Sequence, residues 1–209
     1  VMNTQQSIYG AYIVDDMITS EIIDYFDKNM SKKYIFPEKS NADYKALISQ
    51  YYIGTNITVL ERTHLLKELS KTYDVDLYTF SNTDMLPDIH VHNGANTITE
   101  MPIIFHESQI NLNLTSRPIR NGIPLRIWDV LGCGGFLLTN YQNDLFKHLV
   151  PGEHLDIYSS EEEFFEKILF YSSHPDICRK IAHNGYEFVK KYHTYTIRCE
   201  ELIQLAFSI

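Results

Sequence analysis

Cysteine is scarce in this 209-residue chain: Cys133, Cys178 and Cys199 are its three. Odd in number, widely spaced and without a CxxC pair, they frame neither a disulfide scaffold nor a zinc site, and they suit a reducing compartment. Basic residues are also few, with 18 Lys and Arg against 27 Asp and Glu and a formal net charge of -9. Nucleic acid and anionic membrane are bound through clustered Lys and Arg, so this balance argues against a protein that coats either. Long apolar runs are missing too. No stretch approaches the length that spans a bilayer, and the amino terminus lacks the basic and apolar regions of a signal peptide. A cytoplasmic location is therefore expected, and the tripeptides at Asn56 and Asn113 are not expected to carry glycans. No internal repeat or low-complexity tract is present.

What is there is a globular composition, 44% hydrophobic and 13% aromatic, enough for one substantial core with an appendage. From Ile8 to Tyr52 the chain is polar and Tyr-rich, with Ile18, Ile22, Ile23 and Phe26 at helical spacing and a break near Pro37. Residues 1–57 thus read as a helical appendage or interdomain segment, and their abrupt start suggests a chain beginning inside a larger protein. From Thr58 the pattern changes. Thr58 and Glu61 have the spacing of a capping box ahead of Leu65, Leu66 and Leu69. Short apolar or alternating runs follow at Val75 to Phe80, Ile89 to His92, Ile110 to Thr115, Phe136 to Thr139 and Leu155 to Tyr158, which read as strands. Helical segments separate most of them: Glu100 to Glu107, Pro124 to Leu131, and one opening near Ser160 with Glu163 as its capping partner. Helix continues over Pro175 to Tyr192. Strands alternating with helices predict βαβ units, hence a Rossmann-like α/β fold with a parallel sheet flanked by helices over residues 58–209.

Open parallel sheets bind ligands beyond the carboxyl ends of their strands, and the loop after Ile110 to Thr115 is the richest such place. It runs Ser116-Arg117-Pro118-Ile119-Arg120-Asn121-Gly122-Ile123-Pro124-Leu125-Arg126 into a helix. A helix amino terminus offers unpaired N–H groups, Gly122 permits close backbone approach, and Arg117, Arg120 and Arg126 add positive charge. These are the parts of a diphosphate site, and Asp129, three residues after Arg126, could accept hydrogen bonds from ribose hydroxyls. The competing reading is a solvated arginine cluster paired with acidic neighbours. Gly132-Cys133-Gly134-Gly135 precedes a strand and so reads as a helix end, not a dinucleotide fingerprint. Cys133 reads as a structural thiol, His90 and His92 lack a third metal ligand, and Glu161 to Glu163 suit the dipole of a first helical turn. The 15 tyrosines read mostly as core and interface.

The segment GIPLRIWDVLGCGGFLLTNY, Gly122 to Tyr141, resembles the core motif of CgeB-like (spore-maturation type) glycosyltransferases, within the group 1 glycosyltransferases of GT-B fold. The resemblance extends through Tyr73 to Phe80, Thr99 to Pro102, INLNLTSRPIRNGIPLR, Pro151-Gly152-Glu153, His183 to Tyr186 and Tyr192 to Tyr195, covering about Thr58 to Leu205. It implies a carboxy-terminal half that binds a nucleoside-diphosphate sugar through Arg117, Arg120, Asn121, Gly122, Ile123, Pro124, Leu125, Arg126 and Asp129. Its base would be met by the loop around Asn93, Gly94, Asn96 and Thr97. It further implies transfer to an acceptor, no cofactor or obligatory metal, and an amino-terminal acceptor-binding GT-B domain of which this chain shows no second run of strands and helices. Where related retaining enzymes carry two glutamates eight positions apart, this chain has Asn121 and Asp129, so the acidic ribose contact is kept in type and the charge near the sugar is not. From another class comes the alternative of a non-catalytic assembly module. A receiver-like domain ranks below both, because Asp76 and Asp84 are poorly arranged to hold magnesium.

Overall fold

The computed structural model describes Gln5, Tyr9, and residues 12–30 and 44–207. The chain divides into two compact units, the first reaching to His92 and taking in Leu114–Asn121, the second made of Asn93–Asn113 and Gly122 onward. The chain thus leaves the second unit after Asn113 and returns to it at Gly122.

In the first unit, helices α1 (Val14–Met17), α2 (Ser20–Met30) and α3 (Tyr44–Leu47) lead into a π-helical stretch, Ile48–Gly54, and helix α4 (Thr55–Ser70). Val14, Ile18, Phe26, Ile48, Ile53 and Ile57 form the core, with Ile22 and Ile23 packed against it, so the apolar spacing expected of the amino-terminal region is realised as burial. The break near Pro37 lies outside the described residues. Thr58 is not a cap. The helix is already running, and the Thr58 hydroxyl donates back to the Gly54 carbonyl at 2.8 Å, a satisfaction open to Thr inside a helix. Of the three leucines, Leu65 and Leu69 are buried as their spacing predicts and Leu66 is half-buried. Two short parallel strands, β1 (Asp76–Tyr78) and β2 (His90–His92), pair with Asp76 opposite His90. His92 points to Asp76, Nε2 to Oδ1 2.6 Å, and stacks on Tyr78. The segment 114–121 packs closely here: a Cβ at Gly54 would lie 2.4 Å from the Pro118 ring.

In the second unit, helix α5 (Met101–Glu107) precedes β3 (Asn111–Asn113). Helix α6 (Leu125–Gly132) leads to β4 (Leu137–Asn140), a 3-10 turn (Asn143–Lys147) and β5 (Asp156–Tyr158). Helices α7 (Glu161–Ser173), α8 (Pro175–Tyr192) and α9 (Tyr195–Phe207) follow. The three strands form a parallel sheet in the order β3-β4-β5. All five expected strands are present in two parallel sheets, four of them shorter than their runs and β4 of the expected length but displaced by one residue. The mixed α/β architecture, parallel strands flanked by helices, is consistent with a Rossmann-like half of a GT-B protein.

The central strand β4 is buried along its whole length, as a strand covered on both faces must be. Ile127, Val130 and Leu131 place one face of α6 on Leu137, Leu145, Leu149 and Leu155. Helix α6 ends in a Schellman arrangement: Gly135 N–H reaches the Val130 carbonyl, Gly134 N–H reaches that of Leu131, and Gly134 has φ +72. A side chain at Gly135 would come within 2.4 Å of the Phe105 carbonyl, so the glycines make the turn from helix to strand as expected. Ser160 caps α7, accepting from Glu163 N–H at 3.1 Å, while the Glu163 carboxylate accepts from Ser159 N–H. No described helix is long and apolar enough to cross a membrane.

Candidate functional site

Helices in such units run antiparallel to their strands, so the amino termini of α5 and α6 lie at the carboxyl end of the β3-β4-β5 sheet, where open sheets bind ligands. Pro124 is the N-cap of α6, with φ −56, and makes no side-chain cap. The helix therefore presents its first N–H groups without a side-chain acceptor. Just before it, Gly122 has φ +83 and nothing within 4 Å of a virtual Cβ. Its N–H donates to the Asp144 carboxylate at 2.5 Å, and Asp144 also pairs with Lys147 at 2.6 Å. The Lys147 hydrogen bond first, then that of Gly122, hold the Asp144 carboxyl below the usual range. The entry to α6 thus already accepts an anionic oxygen. Nothing in the sequence marked Asp144; only its position just beyond a strand's carboxyl end could have suggested it.

Buried residues of α6 face the core and its exposed side chains, those of Leu125, Arg126 and Asp129, face outward. Arg126 lies 3.9 Å from Asp129, both side chains nearly half exposed, a weak pair by that exposure. The Arg126 guanidinium also sits 5.2 Å over the Phe105 ring and 3.5 Å from Met101 Sδ. These contacts tie α6 to α5, the helix that the Asn93, Gly94, Asn96 and Thr97 loop feeds. In that loop Asn96 is a local cap: its Oδ1 accepts from Ile98 and Thr99 N–H, and its own N–H donates to Glu100. The base loop, Gly122, Ile123, Pro124, Leu125, Arg126 and Asp129 all belong to the second unit.

Arg117, Arg120 and Asn121 belong to the first. Arg117 is buried, and its Nε and Nη2 donate to the two Glu61 oxygens at 2.7 Å each. Tyr9 lies 3.8 Å below the guanidinium and donates its hydroxyl to Glu61 at 2.8 Å; burial, then the Glu61 charge, pushes that hydroxyl's pKa up. Arg120 pairs with Asp15 over the Tyr12 ring. All three arginines therefore sit in ion pairs, as the competing reading of the loop expected, although the Arg117 pair is enclosed and not solvated. A diphosphate would have to displace a buried carboxylate to reach Arg117.

A cavity of about 790 Å³ opens at the other end of the sheet, among His106, Cys133, Phe136, Arg179, His183 and Tyr186. These residues precede β3 and β4 or lie on α8, so the cavity is at the strands' amino ends. The polar groups that meet a ligand in this architecture lie at the opposite end, and we place the candidate site there. Burial, then the charge of Asp129, raises the Cys133 pKa, which disfavours the thiolate a nucleophile needs. Among the described residues no three His, Cys, Asp or Glu side chains are disposed to hold a metal ion.

A search of curated proteins finds no match to the chain. The sequence model of the glycosyl transferase-like family matches residues 61–204. That match takes in β1 to β5, α6 with its glycine turn, and most of α9, and the chain belongs to the glycosyl transferase-like family.

Proposed function

We propose that this chain is the donor-binding half of a CgeB-like glycosyltransferase of GT-B type, holding a nucleoside-diphosphate sugar at the carboxyl end of the β3-β4-β5 sheet. The observation that carries the reading is the Gly122 N–H at the entry to α6, engaged by the Asp144 carboxylate, because a backbone donor that holds one anionic oxygen suits another. The diphosphate takes the place of Asp144, with the α6 amino terminus and Arg126 opposing its charge. Asp129 accepts from the ribose, and the base lies along Asn93 to Thr97, met through backbone groups.

As the bond from the anomeric carbon to the β-phosphate oxygen breaks, negative charge grows on the departing nucleoside diphosphate. Fixed N–H groups and Arg126 stabilise it there, which needs neither a cofactor nor a resident metal. Asn121 brings no charge to the sugar. Acceptor binding falls to an amino-terminal domain, and orienting both substrates supplies much of the barrier reduction, so the isolated chain binds donor far better than it turns it over. Arg117 and Arg120 enter this reading as the residues that hold 114–121 in place. The three free cysteines accord with a cytoplasmic setting.

Thermal shifts with UDP, GDP, dTDP and their sugars test the reading. One base family should stabilise the wild type, and Asp129→Ala and Arg126→Ala should each reduce that shift; no shift with any of them would refute it. A second reading, an assembly module, is favoured by the exposure of Tyr195, Leu202, Ile203 and Phe207 on α9, and predicts a stable oligomer indifferent to nucleotides.

A further inference from the structure

Among the described residues of the second unit, Gln142 carries a buried side-chain amide that its own fold leaves unsatisfied. It follows β4, the central strand, by two positions, and opens the 3-10 turn that carries Asp144. The residue is 8% exposed, and neither its amide nitrogen nor its amide oxygen has a hydrogen-bond partner. Buried side-chain amides are ordinarily satisfied, and those nearby are. Asn111 Nδ2 donates to the Phe105 and Phe136 carbonyls, and Asn113 pairs with Thr139. Asp156 accepts from Tyr171 and Lys167. A unit that satisfies these groups leaves both ends of one amide idle at the carboxyl end of its central strand.

The chemistry of the missing partner follows from which atoms are idle. A phosphate oxygen accepts only and would leave Oε1 unpaired, whereas a hydrophobic group would satisfy neither atom. Two neighbouring hydroxyls suit both, one donating to Oε1 and the other accepting from Nε2. With Asp129 assigned to the ribose, the remaining vicinal diol of a nucleoside-diphosphate sugar is on the sugar itself.

We propose that Gln142 contacts the transferred sugar, its amide spanning two adjacent ring hydroxyls, and that it is uncovered when the diphosphate releases Asp144 from Gly122. This rests on the donor-site reading above and extends it to the sugar, which no other residue of the site addresses. It makes the segment Tyr141 to Asp144 a coupled element: phosphate at Gly122 frees the turn, and the freed turn presents Gln142.

Calorimetric titration of the full chain separates the two readings. The probes are UDP with UDP-glucose and UDP-N-acetylglucosamine, GDP with GDP-mannose, and dTDP with dTDP-glucose, and the quantity compared is the affinity gained on adding the sugar. In Gln142→Leu and Gln142→Met, which keep the volume and remove the amide, that gain should fall about tenfold for the preferred sugar, with binding of the bare diphosphate unchanged and apo melting unchanged or raised. An undiminished sugar gain in both variants overturns the proposal while leaving the donor site standing. So does lower apo melting with the gain intact, which would assign the amide to an internal water. A wild type that binds diphosphate and gains nothing from any sugar also overturns the proposal, and a wild type that binds no nucleotide removes the donor reading along with it.

Discussion

Replacing Arg117 by Ala separates a structural arginine from a ligand-binding one. Its side chain is 6% exposed and that of its partner Glu61 9%, with two hydrogen bonds between them, and the Arg117 N–H also donates to Thr58 Oγ1 at 3.1 Å. Truncation to Ala leaves the main-chain bond and strands the Glu61 carboxylate with the Tyr9 hydroxyl on one oxygen. Removing one member of a buried ion pair costs about 3–5 kcal/mol. The retained tyrosine bond puts this case near the lower end, about 3 kcal/mol. At about 2–4 °C per kcal/mol for a chain of this size, the melting midpoint should drop by roughly 6–12 °C. Urea unfolding followed by circular dichroism reads the same loss as a lower midpoint. Removing both charges in Arg117→Met, Glu61→Leu should recover most of it, because an apolar pair replaces an ion pair at little net cost. The double variant should keep any nucleotide-induced shift of the wild type. A loss below about 1 kcal/mol in Arg117→Ala, the range of an exposed pair, would refute the burial argument; a double variant that is stable yet deaf to nucleotide would return Arg117 to the donor site.

Two other expectations concern the second unit. Gly185 faces the core from α8, and a Cβ there would lie 2.4 Å from the His154 carbonyl and 2.9 Å from Leu131 Cδ2; Gly185→Ala should cost about 1–3 kcal/mol in urea unfolding, and an unchanged midpoint would show that α8 can shift. His193 stacks on Trp128 and is bonded through Nδ1 to Arg198. Burial, then the Arg198 and His148 charges, hold its pKa below the ordinary 6.5, with Glu201 opposing. The unfolded chain takes up that proton as pH falls through 6.5 while the folded chain does not, so stability drops below pH 6.5 until the folded pKa is passed. Melting between pH 7.5 and 5.5 should therefore fall less in His193→Phe than in wild type, and equal slopes would contradict the assignment.

Periodicity made the α/β alternation legible. Ile127, Val130 and Leu131 announce the buried face of α6, and the run from Phe136 to Leu138 announces a central strand. Strand β3 was legible in place but not in orientation, since Asn111 and Asn113 are the buried residues of INLNL. Their amides are satisfied by the carbonyls of Phe105 and Phe136 and by Thr139, a long-range compensation that a local pattern cannot display. The same limit hid the partners of the loop arginines. Glu61 lies 56 residues from Arg117 and Asp15 105 from Arg120, so charge in the loop was readable and its neutralisation was not. Thr58 and Glu61 have capping-box spacing, yet the helix begins earlier because Ile48, Ile53 and Ile57 bury a continuous face, and packing overrode the local signal.

Amide NMR on the isotopically labelled chain, titrated with UDP, GDP and dTDP, decides whether the entry to α6 is the anion site of the donor. The Gly122 N–H, now held by Asp144, and the N–H groups of Leu125 and Arg126 should shift progressively with the preferred nucleotide, while those of Arg179 and His183 at the opposite end of the sheet stay still. Perturbations centred on His106, Arg179 and His183, with Gly122 unmoved, would contradict it.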